Sequence, residues 1–199
     1  MKVIGITGGV GAGKSAILDY IEKNYNAGVL KADDIAHEQM EPGTGCYESL
    51  KRILPRQAFS EDGHLNRPVL ARMMFERENL RNEINGIVHP AVKVYIKDAI
   101  AKEREIGALD HLVVEAALLI EDHYDEICDE LWYIFTSREN RKQRLMESRG
   151  YSQEKVEQIF ASQLSEEEYR RHCKVVIDNN GTLEAAFLQI DTAMCENEA

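Results

Sequence analysis

Residues Gly8-Gly9-Val10-Gly11-Ala12-Gly13-Lys14-Ser15 follow the spacing G-x-x-x-x-G-K-[ST], the pattern of a loop that wraps nucleotide phosphates. Glycines let successive backbone N–H groups turn inward onto phosphate oxygens, and the helix that follows adds the partial positive charge of its N-terminus. In such a loop Lys14 reaches the β- and γ-phosphates and the Ser15 hydroxyl holds Mg²⁺. Gly9 to Ser15, with Ala16 after them, form the expected ATP-binding set. At average residue usage the four fixed positions coincide in on the order of one chain of this length in a hundred. A strand before the loop and a helix after it make coincidence rarer still.

Three further groups carry possible chemistry. Asp33 follows the second apolar run, where a carboxylate can take the proton of an attacking hydroxyl. Asp33 or Asp34 can equally cap a helix there. Glu115 ends Leu112-Val113-Val114, a position from which an acid can order Mg²⁺ or its water; a solvated strand-end glutamate fits the same pattern. Arg138, Arg141, Arg144 and Arg149, with Lys142, fall within twelve residues, and Arg141 and Arg144 share a helix face. This suits a lid that closes over phosphates and offsets charge as it builds on the transferring group. The competing arrangement is a solvated face paired with Glu139 and Glu147. His89 precedes Pro90 and is read as a loop histidine without an assigned role.

Elements must position these groups. Strand character occurs at residues 3–7, 27–32, 111–115, 131–135 and 174–177, with helical signal between. Strands alternating with helices predict an α/β fold with a parallel sheet of about five strands covered on both faces. Pro42-Gly43 breaks the chain, and from there to about residue 107 the signal is mostly helical. Pro68 and Pro90 are both placed in first helical turns. Val92, Tyr95, Ile96, Ala99 and Ile100 form a core stripe. Thr136 with Glu139, and Ser165 with Glu168, have capping-box spacing. Residues 182–194 read as a closing helix, with the last few residues expected to fray. The expected layout is one domain, its core at about 1–40, 108–137 and 173–199. A helical insertion lies at about 41–107 and a lid at about 138–172.

The chain of 199 residues is 44% hydrophobic and carries a formal charge of −11, which argues against non-specific nucleic-acid binding. Its four cysteines are scattered, without metal-ligand spacing, as in a reduced cytoplasmic protein. No secretory leader or membrane-length apolar run is visible. A monomer or weak oligomer is expected. The guanine-reading N-K-x-D segment of GTPases is missing, and Asp178-Asn179-Asn180-Gly181 matches D-x-x-G only by letters, after the last strand. A small-molecule kinase is favoured. A regulatory nucleotide-binding module without transfer fits less well with Lys14, Ser15 and Asp33 all present.

Taken together, these residues resemble the dephospho-CoA kinase family of P-loop kinases, from about residue 3 to residue 187. The likeness is carried by residues 6–15, Ala32-Asp33-Asp34-Ile35-Ala36, Glu41-Pro42-Gly43, Asn66-Arg67, Ile87-Val88-His89-Pro90 and Leu118-Leu119-Ile120-Glu121. Gln143-Arg144 and residues 176–181 complete the ordered series. The resemblance implies phosphorylation of the ribose 3′-hydroxyl of dephospho-CoA by ATP, the last step of coenzyme A synthesis. It implies Asp33 as general base, Arg144 as lid arginine and the helical insertion as the region that binds dephospho-CoA. By the same resemblance His89, Leu118 and Glu121 join Asp33 in substrate binding, and Asn179 lies near the adenine of ATP. Lys31 stands where the family usually has an Asp, Ala117 where it has a proline, and Arg144 to Arg149 is one residue longer than the common spacing.

Overall fold

The computed structural model describes residues 1–196. The expected fraying of the last few residues concerns 197–199, outside the described residues. The chain forms two compact units, residues 1–30 with 103 onward, and residues 31–102.

The first unit is built on a five-stranded sheet with the order β2-β3-β1-β4-β5. The strands are β1 (Lys2–Thr7), β2 (Ala27–Lys31), β3 (His111–Glu115), β4 (Glu130–Phe135) and β5 (Val175–Asp178). β1 pairs in parallel with β3 and β4, and β4 with β5. Register sets Ile6 opposite Glu115 on one side and Trp132 on the other. All five expected strands are present, each within a residue of its expected limits.

The apolar runs are near-continuous because both faces of the central strands are buried. Ile4, Ile6, Val113, Trp132, Ile134 and Ile177 point into one cluster. Helix α1 (Lys14–Asn24) adds Ile17 and Ile21 to it, and α9 (Leu183–Glu196) adds Ala186, Ile190 and Met194. At the N-terminal edge of the sheet the buried Glu130 carboxylate meets Lys2 at 3.1 Å and Lys174 at 2.9 Å, and accepts from the Trp132 indole at 2.8 Å. A buried carboxylate with three donors is satisfied rather than stranded.

After β4 comes α6 (Arg138–Arg149), then α7 (Gln153–Ala161) and α8 (Glu166–His172). The capping box expected at Ser165 and Glu168 is present at the start of α8. The one expected at Thr136 and Glu139 is not. Ser137 caps α6 instead, accepting from the Asn140 N–H at 3.3 Å. The buried Thr136 hydroxyl is drawn inward and donates to the Ala12 carbonyl.

The second unit holds α2 (Ala32–Gln39), α3 (Gly45–Ile53), α4 (Arg67–Glu76) and α5 (Glu78–Ile106) as far as Lys102. Thr44 caps α3, and Asn66 caps α4, where Pro68 occupies the first turn as expected. Pro90 departs from expectation. It lies inside α5, not at a helix start, and takes His89 with it into the helix. The helix runs through because Ile84, Val88, Val92, Ile96 and Ile100 bury one stripe at intervals of four. Burial of that stripe outweighs the single N–H that proline removes. Tyr95, expected in the stripe, is instead exposed.

Candidate nucleotide-phosphate site

The carboxyl ends of β1, β3, β4 and β5 converge on the glycine loop, where open parallel sheets bind ligands. Gly11 and Gly13 take positive φ of 84° and 87°, a backbone that side chains with a Cβ rarely adopt. Behind Gly13 stands the Asn179 amide, so close that no side chain fits between them.

Lys14 opens α1 and curls back over the loop. Its ammonium donates to the Gly8 carbonyl at 2.9 Å and lies 3.4 Å from the Glu115 carboxylate. Both side chains are largely shielded from water, at 15% and 16% exposure, so the pair is stronger than a surface ion pair. Sheet register explains the meeting: Glu115 pairs with Ile6, two residues before the loop begins. Ser15 follows, exposed, in the first turn of α1.

The far end of the loop is held by a clasp on one atom. The Ala12 carbonyl accepts from Asn179 Nδ2 at 2.8 Å, Thr136 Oγ1 at 3.0 Å and Arg144 Nη1 at 3.4 Å. Arg144 also donates to the Asn179 carbonyl at 2.8 Å. Asn179 is placed by its own N–H, which donates to Phe135 at the end of β4. Its neighbour Asn180 accepts from the Ser137 N–H at 2.7 Å, joining the turn after β5 to the cap of α6.

Arg141, one turn before Arg144, lies against the near side of the loop. Its Nε donates to the Val10 carbonyl at 2.9 Å, another nitrogen donates to the Gln163 side chain, and the guanidinium packs over Phe160 at 4.5 Å and against Gly9. Burial lowers its pKa from the usual arginine value. The rest of the cluster divides differently from the expected alternatives. Arg138 and Lys142 pair with Glu157 of α7, neither with Glu139 nor with Glu147, and Arg149 closes α6 before Gly150.

The first unit therefore brings together Gly9 to Ser15, Glu115, Arg144 and Asn179 among the expected site residues. Leu118 and Glu121 lie exposed in the turns after β3. Asp33 and His89 belong to the second unit. Asp33 is exposed in the first turn of α2, whose cap position is Lys31, so neither Asp33 nor Asp34 is the cap residue. His89 is half-buried in α5.

Sequence reading missed Thr136, taken for a cap, and Gln163 and Phe160, which carried no signal. Arg141 was visible only as a member of the arginine cluster, although its three-residue spacing from Arg144 already set both on one face. Among the described residues there is no group of three His, Cys, Asp or Glu side chains that could hold a metal ion. No described helix is long and apolar enough to cross a membrane.

A family model described as dephospho-CoA kinase matches residues 2–185. The dephospho-CoA kinase of Geobacter sulfurreducens is 35% identical over 191 residues, which cover 96% of each chain. The crystal structure of TT1252 from Thermus thermophilus superposes with a TM-score of 0.78 at 28% identity, over 98% of this chain and 97% of that one. The dephospho-CoA kinase from Campylobacter jejuni shares the fold, with a TM-score of 0.73 at 17% identity, over 98% of this chain and 97% of that one.

Proposed function

This chain belongs to the dephospho-CoA kinase family, enzymes that phosphorylate dephospho-CoA to coenzyme A, and from that premise we propose how its residues divide the work. The observation that carries the proposal is the loop itself. Gly11 and Gly13 hold the left-handed backbone of its tight turn, and a shielded Lys14 sits across its first carbonyl beside Glu115.

ATP is the phosphoryl donor and the ribose 3′-hydroxyl of dephospho-CoA the acceptor, in the last step of coenzyme A synthesis. The 3′-oxygen attacks the γ-phosphorus in line, the bond to the β–γ bridging oxygen breaks, and ADP leaves. Asp33 takes the hydroxyl proton. Lys14 and Arg144 offset the charge that builds on the transferring group, and the loop N–H groups of Gly9 to Ser15, with Ala16 behind them, hold the donor. Asn179 holds the loop beside the adenine. Residues 41–107, His89 among them, supply the acceptor-binding region together with Leu118 and Glu121, and residues 138–172 form the lid.

Mg²⁺ suits the donor set at the loop. Mg²⁺ keeps most of its waters and binds through substrate phosphates plus one or two protein oxygens, so the lack of a three-acid cluster among the described residues fits it. The Ser15 hydroxyl and the Glu115 carboxylate are the residues that would hold it, and bound there it would supply positive charge that offsets the charge of the transferring phosphate. The chain works in the cytoplasm, as a monomer or weak oligomer.

The test is ADP release with ATP and Mg²⁺ against four acceptors: dephospho-CoA, AMP, shikimate and gluconate. Turnover with dephospho-CoA alone, giving coenzyme A, is expected. Turnover with another acceptor overturns the substrate, and silence with all four overturns the transfer reaction.

A further inference from the structure

Arg141 is a cation taken largely out of water without a counter-ion. Its partners among the described residues are neutral: the Val10 carbonyl, the Gln163 side chain, the Phe160 ring and the Gly9 backbone. Nearby cations make its isolation sharper. Arg138 and Lys142 on the same helix both reach the Glu157 carboxylate, whereas among the described residues no carboxylate lies within ion-pair distance of Arg141. Desolvating a guanidinium costs free energy that neutral hydrogen bonds offset only in part, and in an enzyme such a charge marks the place of an anion.

Its position tells which anion. Lys14, the residue that reaches the β- and γ-phosphates in this loop type, donates to the Gly8 carbonyl and so marks the Gly8 end as the γ end. Arg141 lies at that end, on Gly9 and Val10, while Arg144 grips Ala12 and Asn179 at the other. We propose that Arg141 is a specificity-determining residue whose guanidinium binds the γ-phosphate of the donor, so that it distinguishes nucleoside triphosphate from diphosphate. Gln163 and Phe160 hold the guanidinium plane in place until the phosphate arrives. The proposal rests on the kinase reading above, but its test needs no acceptor, so failure of the acceptor assay and failure of this proposal are separate results.

Calorimetric titration of Arg141→Gln with ATP and with ADP, both with Mg²⁺, tests it. ATP affinity is expected to fall about tenfold and ADP affinity by less than about threefold, since one charge-assisted contact is lost to one phosphate only. Equal losses for both nucleotides would make Arg141 a prop for the loop and overturn the proposal, as would no loss for either. If Arg141→Gln does not fold, Arg141→Lys is read in the same way. It keeps the charge and loses the planar fork, so a smaller loss confined to ATP is expected, and equal losses overturn the proposal.

Discussion

The Lys14 ammonium at the start of α1 stands 3.4 Å from the Glu115 carboxylate at the end of β3, which places one cation and one anion on the same phosphate loop. Replacing Glu115 by Gln keeps the shape and removes the charge that both steadies Lys14 and would help to hold Mg²⁺. The expected outcome is a kcat lower by at least roughly 10-fold, with a higher Mg²⁺ concentration for half-maximal rate. Rates across a Mg²⁺ titration check it, and an unchanged half-saturation removes Glu115 from the metal site.

Asp33→Asn tests the proposed base. Loss of general-base catalysis lowers kcat by roughly 100- to 10,000-fold. ATP affinity, measured by titration, should stay close to that of the unaltered chain. A variant that turns over at near the original rate would remove Asp33 from the proton transfer.

Two glycines separate backbone strain from crowding. Gly43 has φ 98° with open space around it, so Gly43→Ala should cost about 1 kcal/mol of unfolding free energy for the left-handed conformation alone. Gly13 has φ 87° and the Asn179 amide where a Cβ would go, so Gly13→Ala adds displacement of the clasp and should cost about 2–4 kcal/mol and abolish ATP binding. Urea unfolding of both variants decides; equal costs would mean that the clasp yields freely.

Glu130→Ala leaves the Trp132 indole without its acceptor and Lys2 and Lys174 without that carboxylate, at the edge of the sheet opposite the loop. Removing one partner of a buried charge network costs about 3 kcal/mol. Folded protein should still bind ATP normally, because Glu130 opens β4 while the phosphate loop lies at the carboxyl ends of the strands. Loss of ATP affinity with little loss of stability would contradict this separation.

Burial holds the Cys128 and Cys173 thiols up at about 12, against a usual value of 9.0. Between those values the unfolded chain loses protons that the folded chain keeps, so folding stability is undiminished below about pH 9 and falls as pH rises toward 12. Tyr124 and Tyr169, pushed from 10.0 up to about 12 mainly by burial, add to the loss from pH 10 upward. Unfolding midpoints from pH 8 to 11 should decline with increasing slope. At pH 8 iodoacetamide should modify Cys195, the exposed thiol, well before Cys46, Cys128 or Cys173.

What could be read from sequence was local. The loop and the five strands announce themselves through glycine spacing and unbroken apolar runs, and the cap at Ser165 through a pair three residues apart. The errors arose where distant chain decides. Thr136 and Ser137 are adjacent hydroxyls of equal local merit, and only a partner 124 residues away selects which one turns inward. Pro90 obeys no local rule, because a stripe reaching from Ile84 to Ile100 carries the helix across it. Arg141 reaches Val10 across 131 positions, so its engagement with the loop has no trace in its neighbours.

The clasp on Ala12 spans 167 positions, from the glycine loop to the turn after β5. Chain synthesis runs from the N-terminus, so the glycine loop leaves the ribosome well before the residue that braces it. A nascent chain that ends before β5 carries every glycine of the loop and none of the Asn179 brace. Until β5 and the turn after it have been added, the Ala12 carbonyl is without the amide that holds it in the folded chain.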